Sequence, residues 1–151
     1  MDATPDTLAE RTEECFRRIH AEQFAELFAD GTTLKVEALE SVTAADTVVL
    51  AVITPWMISA LLFVPDDRFP DYLTIDARKV RVLVNEIDGL GRYRSVSLVA
   101  DMSTVTSQTH ARRVAHESAE VVVHAVEKAR GSLSVTDPER RAFFNVFGLR
   151  S

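Results

Sequence analysis

Apolar and polar positions change their period several times along this chain, and each change marks an element. Leu8, Cys15, Phe16, Ile19 and Leu27 fall on one side at helical spacing, and Phe24 and Phe28 widen the stripe. Thr4 can cap such a helix, and Pro5 suits its first turn, where the missing N–H has no intrahelical partner. Asp30-Gly31 supplies a stop, because glycine reaches the left-handed conformation a helix end often needs. The pattern predicts a helix over about 5–30.

The period then falls to two. Residues 34–42, LKVEALESV, alternate, and Ala44-Ala45-Asp46 reads as a turn. Two apolar runs follow, 47–54 and 57–64, inside an uncharged stretch, VVLAVITPWMISALLFVP, at 48–65. A membrane-spanning helix needs about 20 apolar residues. Here Pro55 interrupts the run and Asp66-Asp67 closes it, so two buried strands with a break between them fit better.

A looser segment, DDRFPDYLTID, leads into Val80, Val82 and Val84 alternating with Lys79, Arg81 and Leu83. Asp88-Gly89-Leu90-Gly91 is a turn whose glycines supply positive φ. Val96, Leu98 and Ala100 then alternate with Ser95 and Ser97. This predicts a hairpin pairing 79–87 with 93–101. Residues 106–130 form a second predicted helix with Ala111, Val114, Ala115, Val122, Ala125, Val126 and Ala129 on one side, ended by Gly131. The tail 131–151 reads as either a short helix starting at Thr136-Asp137-Pro138 or a flexible arm.

With 151 residues, these elements fit one domain, 1–151. The predicted fold is α+β: a mainly antiparallel sheet of about five strands, covered on one face by two long helices. A net charge of −6 argues against a nucleic-acid binder and leaves room for a positively charged partner. Cys15 is the one cysteine, so no internal disulfide is expected, nor a zinc or iron–sulfur site built on cysteines. The acidic, polar start is unlike a signal peptide, which points to a cytoplasmic protein without membrane insertion.

Candidate chemistry is sparse. His116, Glu120 and His124 are spaced to line one helix face, as metal ligands or as a solvated face of His–Glu pairs. At 100° per residue they lie roughly opposite the apolar stripe, which favours the solvated face. A Cys15–His20 pair could serve as nucleophile and base, but Cys15 sits in an apolar stripe and reads as a buried thiol. Glu86 and Asp88 form an acidic pair at a hairpin end. No GxGxxG, GxxxxGK[ST] or GxSxG motif occurs, so neither a phosphate cradle nor a serine elbow is expected. Phe143, Phe144 and Phe147, after Arg140-Arg141, either pin the C-terminus to the core or line a protein contact. Pro55-Trp56-Met57 has the same two readings, a filled core corner or an adaptable apolar contact.

Four segments occur here in the order seen in one known family: ITPWM at 53–57, Glu86-Ile87-Asp88-Gly89, Tyr93-x-Ser95-x-Ser97-Leu98, and RRA followed by aromatics and Phe147-Gly148. Together they resemble the [NiFe]-hydrogenase assembly chaperones of the HybE/HupJ type, over essentially the whole chain. Some members carry a fused rubredoxin, which needs paired CxxC motifs; that iron-binding part is not expected here. The resemblance implies a non-enzymatic chaperone without a cofactor. It would bind the precursor of the hydrogenase small subunit, with its twin-arginine signal peptide, and help it meet the large subunit. On that expectation Pro55, Trp56 and Met57, with Phe143 or Phe144, form an apolar contact. Glu86 and Asp88, with Asp66 or Asp67, supply negative charge for a basic signal region. A small-ligand or metal-delivery domain using His116, Glu120 and His124 is the alternative.

Overall fold

The computed structural model describes residues 7–24 and 34–134. Helix α1 spans Leu8–Ile19, and Thr7 caps it, its Oγ1 accepting from the Glu10 N–H at 3.0 Å. The start is thus later than predicted, and Thr4 and Pro5 lie outside the described residues. From His20 to Phe24 the helix widens into a π-helical turn. π-Helix occurs mainly as such single turns, which are frequent at functional sites.

The strands are β1 (Glu37–Ala38), β2 (Val42–Ala44), β3 (Thr47–Ile53), β4 (Ile58–Phe63), β5 (Tyr72–Ile75), β6 (Arg78–Arg81), β7 (Leu83–Ile87) and β8 (Gly91–Val99). All pairings among the described residues are antiparallel. The main sheet runs β1-β3-β4-β8-β7, with β2 also on β3, and β5-β6 form a separate ribbon. Helix α2 spans Gln108–Ser134. It runs through Gly131, where a side chain would meet open space, so this glycine does not end it.

The α+β class is as predicted, and three further details differ. The predicted strand 79–87 is two strands. Val80 belongs to β6 and pairs with Leu73, whereas Val84 belongs to β7 and pairs with Arg94. Buried Val82 is the handover, its N–H donating to the Asp71 carbonyl at 2.8 Å. Alternation along 34–42 likewise gives two short strands separated by residues 39–41.

The third difference concerns the helices. Successive strand residues point to opposite faces. Leu50 and Val52 of β3, with Leu61 of β4, pack on Phe16 of α1. Their alternates Val49, Ala60 and Leu62 pack on Val122 and Val126 of α2, and Ala51, Ile53 and Ile58 on Ala111 and Ala115. The helices therefore cover opposite faces, not one. This is why β3 and β4 read as unbroken apolar runs: nearly every side chain in them is buried.

Candidate functional site

Pro55 and Trp56 occupy the middle of the β3–β4 turn, and Thr54 builds that turn. The fully buried Thr54 Oγ1 accepts from the N–H groups of Trp56 (3.2 Å) and Met57 (3.0 Å) and donates to the Met57 carbonyl (3.1 Å). The Thr54 N–H reaches the same carbonyl at 2.9 Å. Pro55 presets the backbone for reversal. The apolar run thus breaks where the chain must turn, with the Thr54 hydroxyl and the N–H groups of Thr54, Trp56 and Met57 all matched.

Trp56 and Met57 are half-buried against the α1-face core. The indole stacks on His20, ring centroids 5.8 Å apart and planes 12° from parallel. Ser59 Oγ lies 3.3 Å from Met57 Sδ. Neither a sealed core position nor a free surface one, Trp56 is held in place while part of it reaches solvent.

The acidic candidates stand elsewhere. Ile58 pairs with Val99 and Leu62 with Arg94, while Ile87 pairs with Gly91. The Asp88–Leu90 turn therefore lies at the end of the sheet opposite Trp56. Glu86 and Asp88 are exposed there, and Glu86 pairs across the strand with Arg92. The Asp88 carbonyl accepts from Arg18 Nη2 at 2.7 Å. Asp67 meets Arg92 at 3.5 Å, and Asp66 is engaged by Arg130 and Arg68. No acidic patch adjoins the Trp56 turn through these residues. Phe143 and Phe144 lie outside the described residues.

Cys15 is buried with its Sγ 3.7 Å from the Asp88 carbonyl, while His20 is taken up by Trp56. They do not form a nucleophile–base pair. His116 Nε2 bonds Glu120 Oε1 at 2.8 Å, and His124 Nδ1 faces Glu127 at 3.6 Å. The three residues do not converge, and no group of three His, Cys, Asp or Glu among the described residues could hold a metal ion.

Those helix residues nonetheless border a feature the sequence pattern did not reveal. A groove of about 760 Å³ runs between α2 and residues 39–42, floored by Leu39, Val42, Val49, Ala51, Ala119 and Val123. Arg112, His116, Glu120, His124 and Glu40 form its rim. Ala119 and Val123 are one helical turn apart and flank the main stripe, so a wider reading of the apolar face could have included them. Its other wall depends on a register irregularity, which no periodicity announces.

A sequence model of the family described as "[NiFe]-hydrogenase assembly, chaperone, HybE" matches residues 7–146. Among curated proteins, the hydrogenase-2 operon protein HybE of Escherichia coli K12 is 33% identical over 113 residues, 66% of this chain. The proteins of the same name from Escherichia coli O6:H1 and O157:H7 match equally. The aligned part spans 64% of those relatives' length. The solution structure of HybE from Escherichia coli shares the fold, with a TM-score of 0.59 at 20% identity over 82% of each chain. No helix among the described residues is long and apolar enough to cross a membrane. The family's description is that of a chaperone, in keeping with the expected non-enzymatic role. By the extent of the family match, the chain belongs to the HybE family of [NiFe]-hydrogenase assembly chaperones.

Proposed function

We propose that this chain acts as a cytoplasmic chaperone in [NiFe]-hydrogenase maturation. Its partner is the precursor of the small subunit, bound with its twin-arginine signal region before assembly with the large subunit. The observation that carries the contact is the half-buried Trp56 on a turn locked by Thr54. A rigid aromatic anchor loses little conformational entropy on binding, so its apolar area converts efficiently into affinity. Met57 beside it adds an adaptable apolar surface. Glu86 and Asp88, distant from Trp56, steer a basic segment rather than anchor it, because charge acts mainly on encounter. Phe143 or Phe144 adds aromatic area to the same contact.

Purified precursor, titrated onto the chain, tests this. Trp56→Ala is expected to weaken binding about 30-fold, the loss of ~2 kcal/mol typical of an anchoring aromatic. A folded Trp56→Ala chain that binds the precursor like its parent would remove Trp56 from the contact. No binding by the parent would remove the partner.

A further inference from the structure

We propose that the groove beside α2 is a second docking surface, for an extended apolar segment flanked by basic residues. The segment pairs its backbone with residues 40–43 and sets alternate side chains over Ala119 and Val123. This rests on the precursor reading above, in which that chemistry is supplied by the signal region.

Four observations converge on this. First, the groove is built by a bulge. Ala38 pairs with Val52 and Val42 with Val49, so three residues, 39–41, stand opposite two, Leu50 and Ala51. Leu39 still donates its N–H to the Ala51 carbonyl at 2.9 Å, but Glu40 and Ser41 leave the ladder, and four consecutive positions, 39–42, line one cavity wall. Bulges recur at sheet edges and beside functional sites, where they re-aim side chains.

Second, this edge is covered on one side of the bulge and open on the other. Glu13 Oε2 accepts from the Ala38 N–H at 3.0 Å, and Gln108 bonds both backbone groups of Lys35. Glu40 and Ser41 make no hydrogen bond among the described residues, and Val42 is 49% exposed. Proteins commonly blunt free edges, since a bare edge invites another strand. Here the stretch left bare is the one beside the apolar floor, which is the arrangement used for strand addition, with backbone pairing for affinity and pockets for alternate side chains.

Third, the rim carries unanswered negative charge. Arg112, the rim's arginine, is held by Glu37, its Nε 2.9 Å from both carboxylate oxygens. Among the described residues Glu40 has no ion pair and Glu120 meets only His116. A cationic flank is thereby favoured over an anionic one. Fourth, about 760 Å³ with a mainly apolar floor suits several apolar side chains.

The probe is a fluorescein-labelled synthetic peptide with two arginines followed by about a dozen apolar residues, copied from the precursor's signal region. It is titrated onto the full chain, onto Val42→Arg and onto Glu120→Lys, beside the whole precursor as a reference. Both substituted positions are exposed, and melting curves confirm that the variants fold. Parent binding with each variant at least about tenfold weaker is the expected result. A parent that binds the precursor, but binds the peptide no better than the variants do, overturns the groove and leaves the precursor reading intact. Failure of the parent to bind the precursor removes both. A photo-reactive benzophenone side chain at Ser41 identifies the occupant: crosslinks to the peptide support the proposal. Crosslinks instead to residues 135–151 of the same chain, or to a second copy, overturn it.

Discussion

The imidazole of His20 lies parallel to the indole of Trp56, and its Nε2 is buried without a hydrogen-bond partner among the described residues. The stack supports Trp56, while the orphaned nitrogen costs part of that support. His20→Ala is therefore expected to destabilise the chain by about 1 kcal/mol. His20→Phe keeps a ring against the indole and removes the orphan, so it should be neutral or stabilising. Urea unfolding measures both. Trp56 is the one tryptophan, so its fluorescence reports the site directly: red-shifted in His20→Ala, unshifted in His20→Phe.

The Thr54 hydroxyl makes a separate prediction, because it positions Trp56 without contacting a partner. Thr54→Val preserves shape but leaves the N–H groups of Trp56 and Met57 without their acceptor. The expected loss is about 2 kcal/mol of stability. Precursor binding should weaken with it, although the indole itself is retained. Thr54→Ser restores the acceptor and should recover binding. If Thr54→Val binds as the parent does, the locked turn is irrelevant to the contact.

What could be read in advance follows from which forces leave a periodic trace. Uninterrupted apolar runs announced β3 and β4, and Pro55 announced the turn between them, because burial on both faces and a fixed φ each select residue types. The β5–β6 ribbon left no such trace. Its turn places Asp76 and Ala77 at φ 51° and 65° without a glycine, so the usual signal was missing. Val80, Val82 and Val84 kept one alternation through a change of partner strand, which hid the break. That the helices cover opposite faces is not legible in the sequence, because amphipathicity says that a helix has an apolar side, not which side of a sheet receives it. Trp56 stood out by composition. The groove did not, since it arises from a bulge and from the smallness of Ala51 and Ala119.

Gly89 tests the contact between α1 and the β7–β8 turn. Its φ of 89° is unfavourable for any residue with a side chain, whereas an added Cβ would sit 3.5 Å from Cys15 Sγ, an ordinary contact. Backbone strain therefore decides the cost. Gly89→Ala should lose about 1–2 kcal/mol in urea unfolding. Relieving Cys15 by Cys15→Ala in the same chain should not recover it. Recovery would show that crowding at the thiol, not the backbone, sets the penalty.

Arg130 joins three segments through one buried guanidinium. Its Nε and Nη2 lie 2.7 and 2.6 Å from the two oxygens of Asp46, Asp66 stands at 3.3 Å, and the Arg68 carbonyl accepts from Nη1. Hydrogen bonding from Arg130 holds the carboxyls of Asp46 and Asp66 below the ordinary value of 3.8. A depressed carboxyl pKa contributes stability that is fully present above the unfolded value and lost as pH falls through the folded one. Arg130→Met retains most of the stem's packing and removes the charge. At neutral pH it should cost about 2 kcal/mol, less than the ~3–5 of a fully buried pair, because Asp46 is 49% exposed and can rehydrate. The gap between parent and variant should narrow as pH drops below about 4, once the carboxyls protonate in both. Urea unfolding of the two chains from pH 7 down to about 2.5 measures this. A gap that stays constant over that range would mean that Arg130 acts through packing rather than through its carboxylate partners.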